Sequence, residues 1–233
     1  TPTREPTPDA SPTATPTPTP PPSPPPNYNP TPTPVLCEAD GQLLTVDEYR
    51  VDSVRETLAY NIYVPPCYAE SGRRFPVLYL LASNEEGYTQ WLDLNIVEAL
   101  DRGIRLGALP PMIVVMPSYG SIGVRDAFPP DPSFETVLIE ELLPDVQADL
   151  CTVPERDYRA LGGIDRGGFW AFSLGLRYPD LFSAIAAHSG VFNEEADAQF
   201  NPLEIARNST LLPEANLRLY LDNGADDTQA RNQ

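Results

Sequence analysis

Basic residues and histidine are scarce in this chain of 233 residues. Lys and Arg together number 15 against 33 Asp and Glu, which gives a formal net charge of −18. Nucleic acid and anionic membrane surfaces repel a chain this acidic, so neither is an expected partner. A single histidine is present, which excludes a histidine-rich metal site, and we expect no metal ion and no cofactor.

Long hydrophobic runs are missing, whereas proline is abundant. No stretch approaches the roughly 18 apolar residues of a membrane-spanning helix, so no direct membrane insertion is expected. Of the 29 prolines, 15 fall within residues 2–34, where they alternate with threonine. Because proline fixes φ and removes backbone donors, residues 1–36 are predicted to form a disordered, extended stalk. A solvated tail with no further role is the alternative.

The start of the chain and its three cysteines suggest a location. The first residue is Thr1 and not Met, so we expect a signal peptide or lipid anchor upstream, and the stalk favours an extracellular or cell-surface position. Cys37 follows the stalk and Cys67 ends a predicted hairpin. The two are predicted to form a disulfide, in keeping with an oxidising compartment. Cys151 is left over as a buried or unpaired thiol.

Strand and helix patterns alternate through residues 37–233, which we interpret as one domain. Alternating or continuous apolar runs predict seven strands: Gln42–Val51, Glu56–Val64, 75–81, 112–116, 159–163, 184–187 and 217–221. Helical spacing predicts helices over 94–100, stopping at Gly103, over 133–151 behind a Ser133 cap, and over 168–178. This order predicts an α/β protein with a mostly parallel, doubly wound sheet and an antiparallel hairpin at its N-terminal edge.

The strand over 159–163 runs into a glycine-rich turn and then a helix. Gly163 and Gly167 flank Asp165 in a Gly-x-Asp-x-Gly sequence. This spacing is typical of a nucleophile elbow, where small neighbours are needed because the nucleophile lies on a strained strand-to-helix turn. Asp165 is therefore the candidate nucleophile position.

Four further segments carry a family resemblance: FPVLYLL (75–81), PPMIVVMP (110–117), YRALGG (158–163) and RYPDLFSA (177–184). With the elbow, they resemble the Putative esterase family of the α/β-hydrolase superfamily, which includes esterase D, enterochelin esterase and the mycolyl transferases. The likeness extends over residues 37–227 and implies an α/β-hydrolase fold with a serine, acid and histidine triad.

The resemblance also assigns site positions, and several differ from the family pattern. Asp165 stands where the family has its serine; a carboxylate can be a nucleophile, but its ester must be hydrolysed by a histidine-activated water. A solvated turn residue or a partner of Arg166 are alternatives for Asp165. The family's His-Gly at the oxyanion hole is Ala82-Ser83 here, which leaves the position of Ser83 and the backbone amide of Arg166. Asp227 maps to the triad acid.

The triad histidine is the member that the resemblance does not place. In the family it follows the acid by a strand and a helix, and this chain ends at Gln233, which implies a C-terminally incomplete domain. His188 precedes the acid, so we expect a hydrogen-bonded histidine at the cleft rim and not a base. Three serines lie outside any Gly-x-Ser-x-Gly turn and are expected to make loop hydrogen bonds: Ser118, Ser121 and Ser189.

Two functions of different class remain open. One is an extracytoplasmic esterase-family domain that is catalytically impaired or inactive and acts as a binding or scaffold module. Asp165 and Ala82 favour it, because they are independent departures from the pattern. The other is an active carboxylic-ester hydrolase or acyltransferase whose missing C-terminal part supplies the base, with Asp165 as the nucleophile. A small ester or acyl compound is the expected ligand, and the oligomeric state is open.

Overall fold

A computed structural model describes residues 39–227 except 85, 126 and 193–195. The predicted stalk over residues 1–36 and Cys37 lie outside the described residues, and so do residues 228–233. The predictions made for them therefore stay predictions.

Seven strands form one mixed sheet in the order β1-β2-β4-β3-β5-β6-β7. They are β1 (Gln42–Val51), β2 (Glu56–Val64), β3 (Val77–Leu81), β4 (Ile113–Pro117), β5 (Arg159–Ile164), β6 (Ala184–His188) and β7 (Arg218–Asp222). β1 pairs antiparallel with β2, and β2 with β4, whereas all neighbours from β4 to β7 are parallel. The predicted sheet is confirmed, with strand ends shifted by about two residues at most.

The two strands of the N-terminal hairpin differ in burial. β2 is largely buried, but β1 is mostly exposed, including the side chains of Leu43 and Leu44. β1 lies at the edge of the sheet with β2 as its single neighbour, so the sheet covers less of it.

Eight α-helices connect and flank the described strands. They are α1 (Tyr68–Ser71), α2 (Gln90–Asp93), α3 (Ile96–Arg105), α4 (Phe134–Thr136), α5 (Leu143–Asp149), α6 (Arg166–Arg177), α7 (Pro202–Asn208) and α8 (Leu212–Ala215). Short 3₁₀ turns at Gly87–Thr89 and Arg156–Tyr158 precede α2 and β5. α6 follows the elbow directly, as predicted.

The prediction that the helix after residue 94 stops at Gly103 is wrong. α3 continues to Arg105, and Gly107 adopts a left-handed φ of 68° just beyond it. The N–H of Gly107 donates to Ile104 O, and that of Ala108 to Gly103 O. These two bonds form a Schellman motif, so Gly107 is the glycine that ends the helix, while Gly103 lies inside it.

The helix predicted over 133–151 begins as expected but is not continuous. The Ser133 hydroxyl accepts from the Thr136 N–H at 3.3 Å and caps α4. A π-helical segment, Val137–Leu142, then separates α4 from α5, and the Leu143 N–H donates five residues back to Leu138 O. Pro144 follows at the start of α5. Because proline cannot donate to the carbonyl four residues earlier, the wider turn accommodates it.

Two apolar clusters cover the two faces of the sheet. The larger one packs α6 against the strands and contains the rings of Phe128, Phe134 and Trp170. The smaller one lies on the opposite face under α3 and includes Tyr63 and Trp91. This two-sided burial fits the continuous apolar runs of β3 and β4. None of the described helices is long and apolar enough to cross a membrane.

Candidate active site

Asp165 lies on the turn between β5 and α6, at the carboxyl edge of the sheet. Its backbone has φ 53° and ψ −118°, a conformation that non-glycine residues rarely adopt. Its N–H donates to His188 O at 3.0 Å, and its carbonyl accepts from the Phe169 N–H at 3.1 Å. The turn therefore has the sharp geometry of a nucleophile elbow with a carboxylate at its apex.

The glycines around Asp165 are required by close backbone packing. A Cβ atom at Gly167 would lie 2.5 Å from Ala82 O and would also collide with Leu81 O. A Cβ atom at Gly163 would lie 2.6 Å from the backbone nitrogen of Gly168. These atoms belong to the backbone of β3 and α6, which cannot move aside cheaply, so the two flanking glycines fix the elbow against its neighbours.

Ser83, the predicted oxyanion-hole position, lies just after the end of β3. Its backbone N–H donates to Oε1 of Gln90 at 2.7 Å, and Gln90 is the first residue of α2. The Ser83 amide is therefore already satisfied by the side chain of Gln90, which the sequence did not indicate. The neighbouring carbonyl of Ala82 accepts from the hydroxyl of Tyr119, and burial raises the pKa of Tyr119 well above its usual value.

Arg166 begins α6, and its side chain turns into the loop after β4. The guanidinium is buried and donates to Gly123 O at 3.3 Å and to Arg125 O at 3.0 Å. It also lies over the rings of Phe169 and Trp170, 4.7 and 5.2 Å from their centroids. The role predicted for Arg166 was that of its backbone amide as an oxyanion-hole donor, and this role stays a prediction. The structure adds that the side chain holds the 123–125 loop beside the elbow.

Asp227, the predicted triad acid, lies in the loop that follows β7. Its N–H donates to Gly224 O at 3.1 Å, and its role as an acid stays a prediction. Within the described part of the chain, no group of three or more His, Cys, Asp or Glu side chains is placed to hold a metal ion.

His188 forms a hydrogen bond with an acidic residue, Asp222. Its Nδ1 lies 2.8 Å from Oδ1 of Asp222, and both side chains are about half exposed, at 45% and 44%. The Tyr220 hydroxyl donates to the other oxygen of Asp222 at 2.9 Å. This bond raises the pKa of Tyr220 above its usual value. His188 is therefore hydrogen-bonded at the carboxyl edge, as expected.

Asp222 is the functional candidate that the sequence reasoning missed. His188 and Asp222 are the last residues of β6 and β7, and the parallel register pairs them directly. The signal in the sequence was a polar residue closing each of two apolar strands. Strand order was needed to read it, because these residues are neighbours only once β6 and β7 are adjacent.

Ser118 and Ser121, two of the three alternative serines, make loop hydrogen bonds through their hydroxyls, as expected. For Ser189 the structure gives a backbone bond, and the expectation for its hydroxyl stays a prediction. Ser118 Oγ accepts from the Ala59 N–H at 3.2 Å, and the Ser121 hydroxyl bonds Glu56. The Ser189 N–H donates to Asp222 O at 2.8 Å, and this residue has a left-handed φ of 47°.

The cysteine predictions meet the structure in part. Cys67 is disulfide-bonded. Cys151 is free and exposed, so of the two alternatives for it, a buried or an unpaired thiol, the structure supports the unpaired thiol. Cys37 is not among the described residues, and its pairing with Cys67 stays a prediction.

Solved structures with the same architecture define the class of protein. A ferulic acid esterase superposes with a TM-score of 0.70 at 22% identity, covering 80% of each chain. A feruloyl esterase module from Clostridium thermocellum, solved with sinapinate, gives 0.64 at 19% identity, over 81% of this chain and 69% of that one. An S-formylglutathione hydrolase from Agrobacterium tumefaciens gives 0.61 at 14%, over 78% and 86%. The chain therefore has the α/β-hydrolase fold.

The chain belongs to the Putative esterase family, whose model matches residues 25–233. Esterases from two strains of Mycobacterium tuberculosis are each 37% identical over 135 residues, 56% of this chain and 28% of the relative. An endo-1,4-beta-xylanase/feruloyl esterase of Xylanibacter ruminicola is 32% identical over 142 residues, 56% of this chain and 19% of the relative. The matches thus span less than a third of the length of these curated relatives.

Proposed function

We propose that this esterase-family α/β-hydrolase domain is extracytoplasmic, binds a small ester or acyl ligand, and is inactive or strongly impaired as an ester hydrolase. The observation that carries the proposal is the residue at the elbow: Asp165 occupies the strained turn between β5 and α6. The binding cleft is expected at the carboxyl edge of the sheet, where β3 and β5 end side by side.

A carboxylate at this position is poorly suited to ester hydrolysis. Attack of Asp165 on an ester carbonyl would give a tetrahedral adduct that can expel either an alkoxide or the attacking carboxylate. The carboxylate is by far the better leaving group, so the adduct returns to the starting ester. A serine hydroxyl does not have this disadvantage, because its alkoxide and that of the substrate leave with similar ease.

The oxyanion-hole position points in the same direction. The Ser83 N–H already donates to Gln90 Oε1 at 2.7 Å. To stabilise a developing oxyanion, this amide would first have to give up its present acceptor, which costs about 1 kcal/mol before any gain. A donor that is not free in the resting protein is not preorganised for the transition state.

The relatives suggest which ligands to try first. A curated relative and several structural neighbours are named as feruloyl esterases, and one neighbour was solved with sinapinate. We propose esters of aromatic acids as the ligand class for this chain, and methyl ferulate as the first probe.

Turnover and binding, measured side by side, test the proposal. Methyl ferulate is expected to bind in a ligand-detected NMR saturation-transfer experiment. We expect p-nitrophenyl acetate, p-nitrophenyl butyrate and methyl ferulate to be hydrolysed no faster than in buffer. Asp165→Ala is the matched control. Turnover by the native chain that disappears in Asp165→Ala would contradict the proposal.

A second candidate is alkyl transfer through Asp165, and the strained elbow geometry favours it. Here a carboxylate oxygen displaces a halide from an alkyl carbon, and water later hydrolyses the resulting ester. Incubation with 1-bromobutane followed by mass spectrometry is the test. A butyl adduct on Asp165 supports this candidate, and an unmodified peptide rejects it.

The extracytoplasmic location is supported by the Thr/Pro-rich segment over residues 1–36 and by the disulfide of Cys67. A non-reduced peptide map of the secreted chain is expected to contain a Cys37–Cys67 link. A map with both of these cysteines as free thiols would remove the argument from the redox compartment.

A further inference from the structure

His188 and Asp222 form an ordered pair at the carboxyl ends of β6 and β7. The Nδ1 to Oδ1 distance is 2.8 Å, and the parallel register places the two residues side by side. Asp222 has two further partners: its Oδ2 accepts from the Tyr220 hydroxyl at 2.9 Å, and its backbone carbonyl accepts from the Ser189 N–H at 2.8 Å. The carboxylate that holds the imidazole is thus itself held in place.

This contact determines which imidazole nitrogen carries the proton. An ionised carboxylate can only accept, so the neutral ring keeps its proton on Nδ1 and its lone pair on Nε2. Nε2 has no hydrogen-bond partner among the described residues, and the side chain is 45% exposed. The ring is therefore oriented, and the lone pair of Nε2 is left for a ligand, which is the arrangement in which histidine accepts a hydrogen bond or a proton.

The pair adjoins the elbow. His188 lies opposite Ile164 in the parallel register, and its carbonyl accepts the N–H of Asp165 at 3.0 Å. Charged or titratable groups on the elements around the ring are Asp222 and Tyr220 on β7 and Asp165 after β5. The backbone of His188 thus lies directly beside that of the elbow, at the same carboxyl edge of the sheet.

We infer that His188 and Asp222 are a proton-accepting pair for a hydroxyl group bound beside Asp165, supplied in the native protein by an alcohol or phenol ligand. The inference rests on the proposed function only in placing the ligand at the elbow. His188 accepts the hydrogen bond or the proton, and Asp222 is a positioning residue that fixes the tautomer. This departs from the expectation, drawn from chain order, that His188 is not a base, and the contact with Asp222 is the reason.

The tautomer of the native chain is the first test. Because the chain has one histidine, its imidazole ¹⁵N signals need no assignment by mutation. At a pH where the ring is neutral, we expect the proton on Nδ1. In Asp222→Asn the amide donates to Nδ1, so the proton is expected on Nε2. A native ring protonated on Nε2, or one unaffected by Asp222→Asn, would overturn the inference.

A matched pair of small probes tests the ligand class. Guaiacol carries a phenolic hydroxyl, and veratrole is the same ring with that hydroxyl methylated. Guaiacol is expected to shift the Nε2 signal in a saturable way, and veratrole is not. Equal responses to both compounds, or no response to guaiacol, would count against a hydroxyl-specific site.

Proton acceptance is tested by placing a hydroxyl on the chain itself. In Asp165→Ser, the new hydroxyl oxygen attacks the carbonyl carbon of p-nitrophenyl acetate while its proton passes to Nε2 of His188. The bond to p-nitrophenolate then breaks, and water releases acetate from the chain by the same route. We expect p-nitrophenolate release to fall about 100-fold or more when His188→Gln is added, the usual size of a general-base effect.

Controls keep these outcomes separable. Asp165→Asn supplies no hydroxyl, so it should not release p-nitrophenolate faster than the native chain. Imidazole signals in Asp165→Ser that match those of the native chain show that this variant is folded. A folded Asp165→Ser variant without turnover, or with turnover indifferent to His188→Gln, contradicts the inference. Hydrolysis by the native chain contradicts the proposed function instead, and its dependence on His188 would still support the pair.

Discussion

Leu161, Ile185 and Leu219 lie side by side on β5, β6 and β7, in one row across the sheet. Leu161 and Ile185 are 1% and 2% exposed, whereas Leu219 is 58% exposed. Side chains of the same kind are thus fully packed at one end of the row and open at the other. The elbow belongs to the packed end, where backbone contacts fix its shape. Asp222 belongs to the open end, where side-chain hydrogen bonds hold it.

This difference explains how the elbow keeps its form with a carboxylate at its apex. Gly163 and Gly167 pack against backbone atoms of α6 and β3, and these contacts do not depend on the side chain of Asp165. At the packed end, the side chain at the elbow can therefore change its chemistry without changing the geometry of the turn. At the open end chemistry and geometry are not separable, because the side chain of Asp222 is held by hydrogen bonds to His188 and Tyr220, the same polar atoms that would take part in chemistry.

The largest expected effect is at the packed end. Gly167→Ala places a Cβ atom against the backbone carbonyls of Leu81 and Ala82, so we expect a loss of about 4 kcal/mol or more in the free energy of unfolding. Urea denaturation measures it. Gly224→Ala, whose Cβ would meet nothing nearer than 3.9 Å, is the control and should change stability by less than about 0.5 kcal/mol. Equal, small losses would show that the elbow is not fixed by packing.

The row of apolar residues gives a second, direct comparison. Leu161→Ala should cost about 3 kcal/mol, because it removes buried methyl groups and leaves a cavity. Leu219→Ala should cost less than about 1 kcal/mol, since its side chain is already largely in water. Thermal unfolding of both variants measures the difference. An equally large fall in melting temperature in both variants would mean that Leu219 is covered in solution, and an equally small one would mean that Leu161 is not tightly packed.

Arg166 links the elbow to the loop after β4. Arg166→Met removes the guanidinium that donates to Gly123 O and Arg125 O and should cost about 2 kcal/mol, since Arg125 O loses this donor, while Gly123 O keeps the Trp170 Nε1–H at 3.0 Å. Exposed Arg125 supplies the control: Arg125→Met should be neutral within about 0.5 kcal/mol. Urea denaturation compares the two. No loss in the Arg166 variant would exclude it as a structural link.

The smallest expected effect is at the open end and concerns Tyr220. Its hydrogen bond to Asp222 raises the pKa of the phenol, so Asp222→Asn should let the phenolate form at lower pH. A raised pKa in the folded state means that the unfolded chain ionises first. The bond therefore stabilises the fold below the ordinary tyrosine pKa of about 10 and loses this effect as the pH rises beyond it. Alkaline titration of the Tyr220 Cζ signal by NMR measures the change, and identical titrations would contradict the contact.

The sequence predicted the parts of the molecule whose determinants are local. Apolar runs located all seven strands, and the spacing of Gly163 and Gly167 around Asp165 predicted the elbow, because that turn is made by consecutive residues. The determinant of the end of α3 is also local, but the sequence offers two glycines, Gly103 and Gly107, as possible stop signals. Only the one in a left-handed conformation ends the helix.

The side-chain contacts of the site were not predictable in this way. His188 and Asp222 are 34 residues apart and meet only because β6 and β7 are neighbours. The bond from the Ser83 N–H to Gln90 depends on where α2 begins after the turn that follows β3. Both contacts are made by the tertiary arrangement, and no pattern within a single element encodes them.

The intact mass of the native chain after treatment with a fluorophosphonate probe tests the central claim most directly. The probe phosphonylates serines that a neighbouring base has activated. With Asp165 at the elbow and Ser118 and Ser121 engaged in loop hydrogen bonds, the native chain should keep its unmodified mass, whereas Asp165→Ser should gain one adduct. A stoichiometric adduct on the native chain would contradict the claim that serine chemistry is absent.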